Sequence, residues 1–272
     1  LRAFFAEEDY LFFGREEQVN ELLSRLRQHR FLSVLGASGS GKSSLVRAGM
    51  LPALEGGAMT SAGSYWEIGV MRPGGNPIQN LAKVLFEMDL YDYDKSEAIF
   101  HLQATLKRSG LGLVEAIKQS EIEEGANLLI VVDQFEELFR FSHSGQAQDE
   151  IAAAFVKLLL EASRQSDISI YVVITMRSDY IGDCAQFPDL TESVNESEYL
   201  VPRLKRDQRR TAIEGPIKVA GGEITSRLTQ KLLNDFGNDP DQLPVLQHLL
   251  MRMWDKWVET RGPHDPLDLQ HY

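Results

Sequence analysis

Apolar positions along the chain alternate between two periods. Over Arg15 to His29, "REEQVNELLSRLRQH", Val19, Leu22, Leu23 and Leu26 recur at helical spacing, and "RFLSVLG" then turns to a short β-rich run. A strand therefore follows a helix. A loop rich in glycine and serine comes next, then a helix near Ser43 to Leu54, then an aromatic strand "SYWEIGVM" closed by the breaker "RPGGNP". Helical patterns resume from Ile78 to Gln119. "NLLIVV" (Asn127 to Val132) and "ISIYVVIT" (Ile168 to Thr175) are near-continuous apolar runs, the form taken by strands buried on both faces of a parallel sheet. Between them "IAAAFVKLLLEAS" reads as a helix. The alternation predicts an α/β fold with helices on both faces of a mostly parallel sheet. From about Leu204 the strands stop, and "RDQRRTAIEGPIKVA", "ITSRLTQKLLNDF" and "DQLPVLQHLLMRMWDKWV" form three helical segments broken at Gly221–Gly222 and at "GNDPDQ". They predict a small all-helical lobe at 204–272, following an α/β domain at 1–203.

Charge and cysteine usage narrow the partners. Twenty-eight basic residues against forty acidic ones give a net charge of −12, which opposes attraction to nucleic acid or to an anionic membrane. No direct nucleic-acid partner and no membrane are expected. No apolar run approaches the ~20 residues of a membrane span, and "LRAFFAEEDY" lacks the basic start and apolar stretch of a signal peptide. The single cysteine, Cys184, cannot form an internal disulfide, so a reducing, cytoplasmic location is expected. The chain starts at Leu1 without a methionine and reads as a piece of something longer.

The loop between the first strand and its helix carries the clearest chemistry. Gly36, Gly41, Lys42 and Ser43 match G-x-x-x-x-G-K-[ST], placed after a strand and before a helix as a P-loop requires. Small residues at Ala37, Ser38, Gly39 and Ser40 let successive backbone N–H groups turn inward around a β-phosphate, and the helix start adds its positive dipole end. Lys42 would reach the β- and γ-phosphates and the Ser43 hydroxyl would hold Mg²⁺, with Ser44 completing the nucleotide-binding set.

Acidic and basic groups at the ends of later strands complete the candidate site. Asp133 ends the apolar run "LLIVVD", a poor use of a buried position unless it orients a metal. Glu136 and Glu137 follow three and four residues later, so a helical turn starting at Asp133 would bring both carboxylates near its side, where one could polarise an attacking water. Which of the two does so stays open, and acidic residues also simply complement the start of a helix. "VVITMRSDY" presents Thr175 and Arg177 at the end of the next strand, where a fixed guanidinium could sense a γ-phosphate or else cap a loop by a salt bridge.

Taken in order, "LRAFFAEEDYLFFGREEQV", "GASGSGKSSLVRAGMLPAL", "MRPGGNP", "VVDQFEELF", "MRSDYIGDCAQFPDL", "YLVPRL", "AIEGPIKVAGG" and "DQLPVLQHLLMRMW" resemble the STAND class of signal-transduction NTPases, in its bacterial "novel STAND" branch often found upstream of WD-repeat propellers. The resemblance covers nearly the whole chain. It implies a sheet in the order 5-1-4-3-2, a helical lobe over the nucleotide, ATP or ADP as ligand, and slow hydrolysis coupled to a regulated switch. It also implies that Phe13, Gly14 and Arg15 of "FFGRE" lie near the base and that Pro244 of "LPVL" closes the adenine pocket. Protein partners are expected through effector, winged-helix and repeat-sensor domains outside this chain, with nucleotide-dependent self-association.

Other P-loop classes fit less well. No N-K-x-D motif is present to read guanine, and "HSGQAQ" (His143 to Gln148) comes after the acid-bearing strand, the wrong position for a transporter signature. The basic cluster Arg203, Lys205, Arg206, Arg209 and Arg210 is expected to be mainly a solvated helix face, with phosphate contact or an interface as alternatives. Trp254 and Trp257 continue the stripe Leu246, Leu249, Leu250 and Met253 and are expected in a core. Cys184 has no evident base beside it and the six histidines lack metal-ligand spacing. Arg72 stands at a strand end with its role open. A nucleotide-locked scaffold, binding ATP or ADP with negligible turnover, is the second reading of the same residues.

Overall fold

A computed structural model describes residues 2–59, 65–91, 95–123, 125–142, 146–236, 242–262 and 265–272. Most of the break expected at "GNDPDQ" and the first half of "HSGQAQ" lie outside these residues. The chain forms two compact units. One gathers Leu22–Leu35 and Leu54–Leu200; the other gathers Leu1–Glu21, Gly36–Ala53 and Val201–Tyr272.

The first unit carries a five-stranded sheet of β1 (Phe31–Gly36), β2 (Trp66–Met71), β3 (Asn127–Val132), β4 (Ile170–Arg177) and β5 (Glu198–Leu200). Its order is β2-β3-β4-β1-β5, the 5-1-4-3-2 arrangement expected, and the sheet is parallel. The register pairs Met71 with Val132 and Val132 with Ile174, so β2 and β3 end level with one another while β4 runs three residues further, to Arg177. Both faces are covered, as the unbroken apolar runs require. Leu128, Ile130 and Val132 join a core built with α4 (Pro77–Glu87), α5 (Lys95–Arg108), α6 (Gly112–Lys118), α8 (Gln146–Ser163) and α9 (Pro188–Ser197), while Leu129 and Val131 are equally buried on the opposite face. Cys184 lies in this core, where burial pushes its thiol up to about 11, well away from the reactive range.

In the second unit, α10 (Arg206–Val219), α11 (Ser226–Asp235) and α12 (Leu243–Thr260) pack around Ile213, Leu228, Leu232, Leu246, Met253 and Trp257. Among the described residues of this stretch, one isolated bridge pairs Ile224 with Leu267. Trp257 sits in its core with its indole N–H on the Asp265 carbonyl at 2.8 Å, and Trp254 packs at its edge, as the stripe predicted. The basic cluster is less uniformly solvated than expected. Arg206 bridges to Gln230 and Asn234 of α11, at 2.9 and 2.8 Å, and Arg209 is only 8% exposed, so burial lowers its pKa from the usual guanidinium value. No helix among the described residues is long and apolar enough to cross a membrane.

Candidate functional site

The glycine-rich loop is shaped by its own backbone. Gly41 adopts φ +88°, a left-handed conformation that costs a side chain dearly, and from there the chain enters the helix at once, with Leu45 N–H on the Gly41 carbonyl at 2.8 Å. The helix begins as α2 (Lys42–Ser44), widens to a π-helical stretch over Leu45–Met50 and closes as α3 (Leu51–Glu55). Lys42 is 9% exposed, and its ammonium donates to the Gly36 and Ala37 carbonyls at 2.9 and 2.8 Å, so the lysine is curled into the loop it follows. Ser40 is buried, Ala37 and Ser38 are exposed, and Gly39, Ser43 and Ser44 are half-buried along the same turn.

The segment before α1 (Glu16–Gln28) is strapped onto this loop, a linkage that local periodicity could not reveal. The Ser44 hydroxyl accepts the Phe4 N–H at 3.2 Å. Arg15 is buried and donates to the Ser40 carbonyl at 3.1 Å and to the Pro202 carbonyl at 2.7 Å, tying the P-loop to the chain that leads into α10. Phe13 lies against Gly215 of α10, and Gly14 meets the Gln208 carbonyl so closely that an added Cβ would stand 2.2 Å from that oxygen. Pro244 occupies the first turn of α12, half-buried. Gly14→Ala is expected to cost roughly 2 to 4 kcal/mol, because the methyl meets backbone and φ is +82°. The check is the urea midpoint at unchanged m-value; a loss under about 0.5 kcal/mol, the range of neutral surface changes, would show that the strap is not tightly packed.

The ends of β3 and β4 hold the acidic residues. Asp133 is 1% exposed, and its Oδ1 accepts the Thr175 hydroxyl at 2.7 Å. Thr175 Oγ1 in turn accepts the Gln134 N–H at 3.1 Å, and its carbonyl accepts the Phe135 N–H at 2.8 Å. Thr175 was legible only as a strand end; its part in orienting Asp133 emerges from the parallel register. The two glutamates do not share a face with Asp133 as a continuous helical turn would have them. Gln134 takes φ +58°, the segment 133–136 is a turn, and α7 (Glu137–Ser142) starts only at Glu137. The carboxylates therefore diverge. Glu136, 9% exposed, accepts the Arg177 backbone N–H at 3.3 Å at the end of β4, whereas Glu137 accepts the Gly74 N–H at 3.2 Å in the loop after β2. The Arg177 guanidinium is paired with Asp179, Nε to Oδ1 at 3.1 Å and Nη2 to Oδ2 at 2.6 Å, and lies 5.6 Å from the Tyr180 ring. That pairing raises its pKa.

Comparison with known proteins agrees with this architecture. The model of the family described as Novel STAND NTPase 1 matches residues 1–272. Comparison with curated proteins gives no match. Among solved structures, the chain is similar to the ORC2 protein of Aeropyrum pernix in its ADP form, with TM-score 0.61 and 13% identity over 90% of this chain and 63% of that one. It is similar to the Aeropyrum pernix ORC1 protein in complex with DNA, with TM-score 0.60 and 15% identity over 96% of this chain and 64% of that one. It is also similar to the Walker-type ATPase PABY2304 of Pyrococcus abyssi, with TM-score 0.57 and 13% identity over 96% of this chain and 71% of that one. The chain thus spans less than two thirds of the length of either ORC protein. At such identities these likenesses speak to the fold, a P-loop ATPase fold. With a P-loop on a parallel 5-1-4-3-2 sheet and a family match from end to end, the chain belongs to the Novel STAND NTPase 1 family.

Proposed function

We propose that the chain is the ATP-binding, slowly ATP-hydrolysing switch module of a larger signal-transduction protein. The observation that carries this reading is the buried acid pair after β3, since Asp133 and Glu136 are each fixed by a group from the end of β4. A scaffold that only held nucleotide would need no second buried acid there.

Each candidate residue takes a distinct role. Lys42 exchanges its two loop carbonyls for β- and γ-phosphate oxygens, and the N–H groups from Ala37 to Ser44 surround the phosphates. Ser43 and Asp133 offer the hydroxyl and carboxylate oxygens that a hard divalent cation takes. A hydroxyl and a single carboxylate suit Mg²⁺, an ion bound by one or two protein oxygens that completes its shell with water and substrate phosphate. Mg²⁺ bound there supplies charge neutralisation. Glu136 orients the attacking water, and Arg177 leaves Asp179 to contact the γ-phosphate as charge builds on it. Phe13, Gly14, Arg15 and Pro244 border the base. The protein works in the cytoplasm, its partners are effector and sensor domains of the longer protein, and self-association follows nucleotide state. One ORC relative is in its ADP form, which supports an adenine nucleotide; another is in complex with DNA, but the net charge of −12 favours no direct nucleic-acid contact here.

The test is to denature the purified chain and identify the nucleotide released. ADP is expected, as the product held by a resting switch. A chain that releases nothing, and whose melting is unmoved by added Mg²⁺ with ATP or ADP, would overturn the reading.

A further inference from the structure

Arg72 has no place in the roles assigned so far, yet its surroundings are specific. Met71, the last residue of β2, accepts the Asp133 N–H on its carbonyl at 2.8 Å, and the register pairs Met71 with Val132. Arg72 therefore follows β2 opposite Asp133, one strand spacing of roughly 4.8 Å away. It is exposed, and among the described residues its guanidinium makes no hydrogen bond or ion pair. Its backbone, by contrast, is pinned from two elements. Asn80 of α4 donates its amide to the Pro73 carbonyl at 3.0 Å and the Arg72 carbonyl at 3.4 Å, and Glu137 of α7 accepts the Gly74 N–H at 3.2 Å. Pro73, which follows Arg72, and Pro77 at the start of α4 are buried. A fixed base under an unpaired guanidinium, at the sheet edge where parallel α/β folds bind their ligands, is the arrangement expected of a group that waits for an anion.

We propose that Arg72 is a second phosphate-binding arginine of the nucleotide site, contacting the γ-phosphate of ATP, and that Glu137 is its positioning residue. The proposal rests on the reading of Asp133 as the residue that holds the nucleotide's cation. A γ-phosphate held beside Asp133 would face the strand end from which Arg72 follows β2, one strand away in the register. The planar fork of the guanidinium suits two phosphate oxygens at once, and ADP offers it no γ-phosphate. The adjacent glutamates thereby divide their labour: Glu136 serves the end of β4, and Glu137 serves the Arg72 loop after β2.

The experiment compares equilibrium binding of ADP and of a non-hydrolysable ATP analogue, each with Mg²⁺, to the wild-type chain and its variants. Arg72→Ala is expected to weaken the analogue roughly 10- to 100-fold, the scale of a charge-assisted contact, while ADP binding stays near wild type. Arg72→Lys keeps the charge but loses the fork and falls between. Glu137→Ala reproduces the analogue-specific loss, and Glu137→Gln, which still offers an acceptor to the Gly74 N–H, recovers most of it. Lys42→Ala is run in parallel. If it keeps both ligands, the nucleotide-site reading fails; if it loses both while Arg72→Ala and Arg72→Lys keep the wild-type preference, the role of Arg72 alone is overturned. Recovery of turnover on mixing Lys42→Ala with Arg72→Ala chains would also overturn the same-chain assignment, since the arginine would then act on a second copy.

Discussion

Lys42→Ala is expected to abolish the rise in melting temperature that Mg²⁺ with ATP or ADP confers. A ligand at a hundred times its dissociation constant adds about 2.7 kcal/mol to the folded state. For a chain of this length that corresponds to a shift of roughly 5 to 10 °C. The lysine is a sensitive position because its ammonium is already buried in the loop, donating to the Gly36 and Ala37 carbonyls. Its removal costs those bonds as well as the phosphate contacts. Each protein must therefore be compared with its own nucleotide-free melt. A variant that melts lower but still gains the full shift would show that Lys42 shapes the loop without holding phosphate.

Glu136→Gln is expected to lower turnover by roughly 100-fold or more with ATP affinity near wild type, the pattern of a contact made in the transition state. Glutamine retains an acceptor for the Arg177 N–H, now at 3.3 Å from the carboxylate, so the junction of β3 and β4 is preserved while the base is lost. Parallel loss of binding and turnover would instead mark Glu136 as a structural acceptor for that N–H.

The contrast between these neighbouring carboxylates also marks the limit of what local pattern conveys. "NLLIVV" and "IYVVIT" are read correctly because burial on both faces leaves an unbroken apolar run, and the P-loop is legible because its chemistry requires fixed residues at fixed spacing. The sheet order came from family resemblance, since periodicity carries no record of which strands are neighbours. β5 escapes periodicity altogether: it has three residues and its Leu200 is 63% exposed at the sheet edge. The divergence of Glu136 and Glu137 turns on a single left-handed residue, Gln134, which is neither glycine nor asparagine and gives no warning. The strap joins Arg15 to Pro202 across 187 positions as well as Phe4 to Ser44 across 40. Its signal in the sequence was the bare "FFGRE", where Gly14 is demanded by a carbonyl contributed by Gln208.

The most direct measurement of the central claim, that this P-loop module hydrolyses ATP as a switch, is single-turnover phosphate release from ATP bound at stoichiometric chain. The wild-type chain is expected to convert ATP slowly to ADP and phosphate with Mg²⁺, with no release when the cation is chelated and release roughly 100-fold or more slower in Glu136→Gln. ATP recovered intact from the wild-type chain in the presence of Mg²⁺, at the same rate as from that variant, would contradict it and leave a module that holds nucleotide without using it.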